Sequence, residues 1–240
     1  MPRPHLLALL SLLPALALLT ACGGGHKDEE IDGVVVPDIE FARFALGVKH
    51  VNMHLVPGNN WDYESTTAAG LERTRVEVLL DERTFPEVAA TTVETSVMLA
   101  DVPLRDSTDW FAEDNTGAVW QFGKDACDYQ NGECVSNAGS WEWSGGDARP
   151  GIVLPANPEV GKTPHYQVYW KDHVEDVGEV IAVGESVSVP GGDFKNCVKI
   201  RQTSNLDSTI EQIKYYCPIV GLTLIEDGDV RVELMHFGGV

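Results

Sequence analysis

Two sets of carboxylates are the residues best suited to acid/base chemistry: Asp109 or Glu113 on one segment, and Asp172 or Glu175 on another. Cleaving a glycoside needs two carboxyl groups about 5 to 9 Å apart that protonate differently. With 37 acidic residues in the chain, such pairs arise by number alone, so a carboxylate-dependent, glycosidase-like hydrolase is the alternative reading rather than the leading one. No G-x-S-x-G elbow, H-E-x-x-H pair or P-loop is present. No catalytic residue is therefore assigned. "VYWKDHVEDVGEV" gathers Asp172, His173, Glu175 and Asp176, with His165 upstream. These types suit a first-row transition metal, although spacing alone does not make them converge. "DNTG" offers Asp114 and Asn115 to calcium, a hard cation that takes oxygen ligands. The regular D-x-D-x-D-G loop is absent, so a calcium-binding envelope protein is permitted and no cofactor is implied.

Aromatic residues supply the other candidate surface. In "GSWEWSGGDARPGIVLPANPEVG", Trp141 and Trp143 fall on one face of a short extended piece. They could line a shallow groove or form a lid over the core, and the lid is favoured. Trp61 and Tyr63 share a strand face and read as core. In "DWFAEDNTGAVWQFG", Trp110 and Ala112 face one way, with Asp109, Phe111 and Glu113 facing the other. After the turn, Trp120 and Phe122 share a face and Gln121 points away, so hairpin closure explains this stretch adequately.

The elements that must position these residues are strands. Alternation with a period of two runs through "TRVEVLLDE", where Thr74, Val76, Val78 and Leu80 oppose Arg73, Arg75 and Glu77, and it recurs in "EVIAVGESVSV", "CVKIRQT", "IEQIKYYC" and "VRVELMHF". Each run is followed closely by Gly, Pro, Asn or Asp. The expected fold is all-β: a single curved antiparallel sheet, or a partly open barrel or sandwich, with long Gly/Pro-rich loops. A short helix or turn is suggested only over 39–48.

Cys127, Cys134, Cys197 and Cys217 form an even set in an exported chain, and four cysteines allow three pairings. "CDYQNGEC" closes a tight turn, and a hairpin near Asp207 would set Cys197 opposite Cys217, so the local pairing is expected. Close CxxC pairs of the zinc type are absent.

At the amino end, Arg3 precedes an apolar run from Leu6 to Leu19, the layout of a signal peptide over 1–21. Leu19-Thr20-Ala21-Cys22 resembles the lipobox of bacterial lipoproteins. That resemblance implies a diacylglycerol thioether on Cys22, cleavage before it, and acylation of the new terminus. Several acyl chains would hold the protein at a membrane without a protein span. Gly23 stands where an aspartate would favour inner-membrane retention in Gram-negative lipoproteins, which favours the outer membrane. A lipidated flexible tether over 22–37 and a β domain over 38–240 follow. A formal charge of −20 opposes nucleic acid and anionic bilayers as partners.

Together, "VPGNNWDYEST", "DWFAEDNTGAVWQFG", "GSWEW", "PGIVLPANPEVGKTPHYQVYW", "VSVPGGDFKNCVKI" and "KYYCPIVGLTLIE" resemble a family of bacterial secreted and lipoprotein β domains of undetermined function. The resemblance spans roughly Leu55 to Leu234 and implies an antiparallel β domain outside the cytoplasm, with no catalytic residue to carry over. The leading expectation is a lipid-anchored, noncatalytic protein of the bacterial envelope, structural or binding a protein, a glycan or a small apolar ligand.

Overall fold

A computed structural model of the chain describes residues 29–39 and 43–239. The signal peptide expected over 1–21 and the lipidation expected at Cys22 fall outside the described residues. In chain order the strands are β1 Glu29–Ile31, β2 Val34–Val36, β3 Phe44–Ala45, β4 Val48–His50, β5 Met53–Leu55, β6 Asn60–Thr67, β7 Gly70–Phe85, β8 Val88–Leu99, β9 Val102–Asp114 and β10 Val119–Gln130. They continue as β11 Glu133–Ser136, β12 Trp141–Glu142, β13 Arg149–Leu154, β14 His165–Trp170, β15 Val174–Val189, β16 Gly192–Ser204, β17 Glu211–Cys217, β18 Gly221–Asp227 and β19 Val230–Gly238.

From β6 to β10, and then from β13 to β19, each strand pairs antiparallel with the next, while β10 also pairs with β13. The last strand returns to the first: β19 pairs with β6 from Val232 opposite Ser65 to Gly238 opposite Asn60. The expected curved sheet is therefore present, and its two edges meet in a closed, barrel-like meander.

Alternation decides which residues face inward. Trp61, Tyr63, Val78, Val93, Ile200 and Leu234 are buried in the principal core. Tyr63 Oη donates to the Leu222 carbonyl at 2.8 Å and Trp61 Nε1 donates to the Val220 carbonyl at 2.6 Å, so each large ring satisfies its polar end as it is buried. The opposite face of β6 and β7 carries ion pairs, Arg75 with Asp62 at 2.9 Å and Arg73 with Glu64 at 3.2 Å. A membrane-spanning barrel has the reverse arrangement, with an apolar band outside. The regular alternation of β7 holds to Val78. A bulge between Val78 and Glu82 then breaks the register, and Leu80, read from the sequence as sharing the face of Val76 and Val78, is 85% exposed.

Two further pieces complete the domain. The β4–β5 hairpin plugs one end of the ring: Val48 and Leu55 join the core, Asn52 Nδ2 donates to the Tyr216 carbonyl at 3.0 Å, and Ile219 N donates to the Val51 carbonyl at 2.7 Å. The β1–β2 hairpin lies outside, with Val34 and Val36 packed on Tyr166, Tyr169 and Val177. Residues 29–36, which composition places in the tether, are thus docked strand, because the Val34-Val35-Val36 run offers apolar surface that the glycine-rich residues before it lack. Of the helix or turn suggested over 39–48, the helix is not found among residues 43–48. Within that span 44–45 and 48 are strand and 46–47 form a bend, while 40–42 lie outside the described residues.

The disulfides join Cys127 to Cys134 across the β10–β11 hairpin and Cys197 to Cys217 between β16 and β17. Asn131 and Gly132 carry the positive φ angles, 54° and 81°, that the first of these tight turns requires. Cys197 and Cys217 are fully buried, whereas Cys134 is exposed. Dithiothreitol without denaturant is therefore expected to open Cys127–Cys134 and leave Cys197–Cys217 intact, as read by alkylation and peptide mass mapping. Equal labelling of all four cysteines would contradict this placement.

Candidate functional site

The β9–β10 hairpin holds the "DWFAEDNTGAVWQFG" stretch. Asp114 organises its turn: Oδ1 accepts from Thr116 N at 2.8 Å, Thr116 Oγ1 at 2.5 Å and Ala118 N at 3.1 Å, while Oδ2 accepts from Trp120 Nε1 at 2.8 Å. Gly117 takes a φ of 95°. Both oxygens of the carboxylate offered to calcium are committed to the protein's own donors. Among the described residues, no group of three or more His, Cys, Asp or Glu could hold a metal ion. Trp120 and Phe122 face outward into a second aromatic cluster with Phe85 and Phe44, leaving β10 buried on both faces.

On the inward face, Asp109 accepts from Ser107 Oγ at 3.0 Å and Gln121 Nε2 at 2.7 Å and lies 3.6 Å from Lys124 Nζ. Lys214 on β17 donates to Gln202 Oε1 at 2.5 Å, and Asp176 on β15 faces the same interior. Burial is the main force pulling the Lys214 ammonium down to about 8, and the like charge of Lys124 adds to it against the attraction of Asp176, Asp109 and Asp227. Burial also raises Asp176, opposed by the two lysines. Two ammonium groups thus meet two carboxylates inside the ring, a self-compensating set.

The carboxylate pairs read from the sequence do not assemble. Asp109 faces inward, whereas Glu113 accepts from Lys49 N at 2.5 Å at the far end of β9. Asp172 and Glu175 serve the β14–β15 turn, where Asp172 N donates to Glu175 Oε1 at 2.9 Å. The metal constellation is dispersed as well. His173 stacks on Trp170 with ring centroids 4.2 Å apart, Asp176 turns inward, and His165 begins β14 while Trp170 ends it.

A groove of about 520 Å³ lies beside β12, lined by Trp110, Lys124, Ser140, Trp141, Asp147 and Trp170. β12 pairs with β10 through Gly123 opposite Glu142 and Lys124 opposite Trp141. Gly123 is required at this crossing, because a Cβ there would lie 2.8 Å from the Trp110 ring and 3.0 Å from the Trp141 carbonyl oxygen. Trp141 is only 5% exposed, packs with Ala148 and Val168, and borders the groove. Trp143 turns towards Phe122 and Phe85, with centroids at 5.5 and 6.4 Å, and acts as core. The sequence reading missed Trp110 and Trp170 as groove walls. It also missed Lys214, although Gln212, Lys214 and Tyr216 alternate in phase and place that lysine inside.

His165 occupies a second concavity, at the opposite end of β14. Burial holds its imidazole down to about 4 against an ordinary 6.5, with partial relief from a hydrogen bond to the Ile152 carbonyl. The unfolded chain takes up this proton first as pH falls below 6.5, so stability drops between 6.5 and about 4 and nothing is contributed above 6.5. The loss at pH 4.5 is expected to be about 2 to 3 kcal/mol. His165→Gln should shrink the difference in unfolding free energy between pH 7 and 4.5, read from urea melts, by that amount, and an unchanged difference would contradict a neutral buried imidazole.

The chain is similar, at 15% identity and a TM-score of 0.38, to a solved structure of a candidate lipoprotein from Parabacteroides distasonis, over 79% of this chain and 99% of that one. No protein-family model matches the sequence, and no curated protein matches it. The resemblance to secreted bacterial β domains therefore rests on the motifs themselves.

Proposed function

We propose that the protein is a noncatalytic, lipid-anchored binding protein of the bacterial envelope whose groove beside β12 receives a neutral glycan. The observation that carries this reading is the groove itself, where Trp110 and Trp170 meet Ser140 and Asp147 beside the buried Trp141 in one concavity of about 520 Å³. Indole faces pack on the apolar faces of sugar rings, and neighbouring carboxylates and hydroxyls hydrogen-bond sugar hydroxyl groups. Asp125, Glu142 and Asp147 line the groove while the Lys124 ammonium pairs with Asp109 inside the ring, which disfavours acidic sugars. The lipobox resemblance at Cys22 supports placement at a membrane surface, with Gly23 favouring the outer membrane. The charged outer face of β6 and β7 agrees with a domain held in water beside that surface.

An array of neutral and N-acetylated oligosaccharides tests the groove. Binding is expected to weaken by about tenfold or more in Trp170→Ala, tenfold being 1.4 kcal/mol, and to be unaffected by Leu80→Ser on the distant exposed bulge. No retained sugar, or equal retention by the Trp170→Ala protein, would overturn the reading. For the anchor, radiolabelled palmitate is expected to label the native chain in a bacterial host and to leave Cys22→Ser unlabelled. Labelling of neither protein would remove the lipid.

A further inference from the structure

The described chain begins beside the tryptophan groove. Glu29, the first residue of β1, pairs with Arg149 at 2.6 Å. Arg149 directly follows Ala148, which lines the groove, and its guanidinium lies over the ring of Tyr169 at 5.7 Å, one residue before the groove's Trp170. The backbone agrees, since Arg149 stands opposite Tyr169 in the β13–β14 ladder. β1 therefore enters the domain at the margin of the groove and runs away from it. Glu29 is opposite Val36, whereas Ile31 is opposite Val34, near the level where Val35 meets His165 at the far end of β14.

Six residues, 23–28, separate Glu29 from Cys22. A chain spans at most about 3.6 Å per residue, so seven steps reach about 25 Å. β15 starts with Val174 opposite Trp170 and runs 16 residues to Val189, which is about 50 Å of strand at about 3.3 Å per residue. A lipid on Cys22 would thus hold the groove's side of the domain, and not the far turn of β15, against the bilayer. Ring surface in the groove comes from Trp110 and Trp170, since Trp141 is buried, and His173 backs Trp170 by stacking on it with centroids 4.2 Å apart. Glu142 is paired with Arg83 at 2.6 Å, which leaves the negative charge of Asp125 and Asp147 at the groove.

We propose that the groove takes the uncharged sugar headgroup of a glycolipid in the same bilayer that carries the protein. This rests on the glycan and anchor readings above and names where the sugar comes from. A free oligosaccharide must offset its whole loss of translation and rotation with two ring walls and a few polar groups. A headgroup confined to the surface that holds the domain meets the groove at an effective concentration that a short tether keeps in the millimolar range, so few contacts suffice. The remaining carboxylates and the formal charge of −20 repel headgroups that carry phosphate or carboxylate, whereas a neutral sugar meets no such repulsion. Indole rings also suit headgroup depth, because each has an apolar body and one N–H donor.

The test uses the protein made from the full chain in a bacterial host, extracted from its membranes and placed in nanodiscs of phosphatidylcholine with or without digalactosyldiacylglycerol. Amide hydrogen exchange, read by mass spectrometry, is expected to slow over residues 140–148 and 168–171 only in discs that hold the glycolipid. Trp170→Ala should remove that slowing. Free digalactosylglycerol at the same bulk concentration is expected to give no more than about a tenth of the protection. Lengthening the tether fourfold with an inserted Gly/Ser run should weaken the glycolipid's effect about eightfold, because effective concentration falls roughly as the −3/2 power of length, and should leave the free sugar's effect unchanged. Protection by the free sugar with none from the glycolipid, or a glycolipid effect that the longer tether does not move, would overturn the membrane source and leave the glycan reading standing. Protection by neither would overturn both. Recovery of the native chain only as a soluble protein without acyl chains would remove the anchor and this proposal with it, while the free sugar would still report on the groove.

Discussion

The pairing of β19 with β6 is the constraint on which the rest of the structure depends. A sheet of long antiparallel strands with two unpaired edges would expose rows of backbone donors and acceptors to other chains. Closing the ring satisfies those rows internally and creates an inside. Once an inside exists, the period-two alternation of every strand acquires a meaning: Trp61 and Tyr63 must enter the core, and Asp62 and Glu64 must meet water. The two ring-to-carbonyl hydrogen bonds from β6 to residues 220 and 222 then brace the closure from within.

Both concavities occur where the ring is least continuous. β10 pairs with β12 near Lys124 and with β13 near Trp120, so its partner changes along its length. β13 in turn holds β14 through a short ladder in which Gly151 is obligatory, since a Cβ there would run into the Tyr166 carbonyl oxygen. The groove opens beside the first change of partner and the cleft beside the second. A wall with an uninterrupted ladder, such as β6 with β7, leaves no comparable gap. The interior follows a similar division. Its apolar part surrounds Ile200 and Leu234, while Asp109, Lys124, Asp176 and Lys214 form a compensated polar part. Removing any one of those four would leave an opposite charge uncompensated, a larger penalty than an exposed pair would suffer.

Much of this was legible in the sequence because it depends on local rules. Alternation gave the strands, Asn131-Gly132 marked the tight turn, and the faces of Trp110, Phe111, Trp120 and Gln121 fall as their positions in the hairpin require. Ring closure was not legible, because it joins residues 60–65 to 232–238 and no local pattern encodes that register. Leu80 was misplaced because a bulge shifts phase without a sequence break. The metal constellation around His173 is dispersed because Asp172 and His173 sit in the turn between β14 and β15, while Glu175 and Asp176 are neighbours on β15 and point to opposite faces. The His165 cleft was not legible, since its walls come from strands far apart in the chain.

Cross-strand nuclear Overhauser contacts between β6 and β19 test the closure most directly. The account predicts backbone contacts linking Ser65 to Val232 and Tyr63 to Leu234, with slow amide exchange along both strands. Their absence, with rapid exchange along β6 and β19, would show two open edges and contradict the barrel on which the groove and the cleft are built.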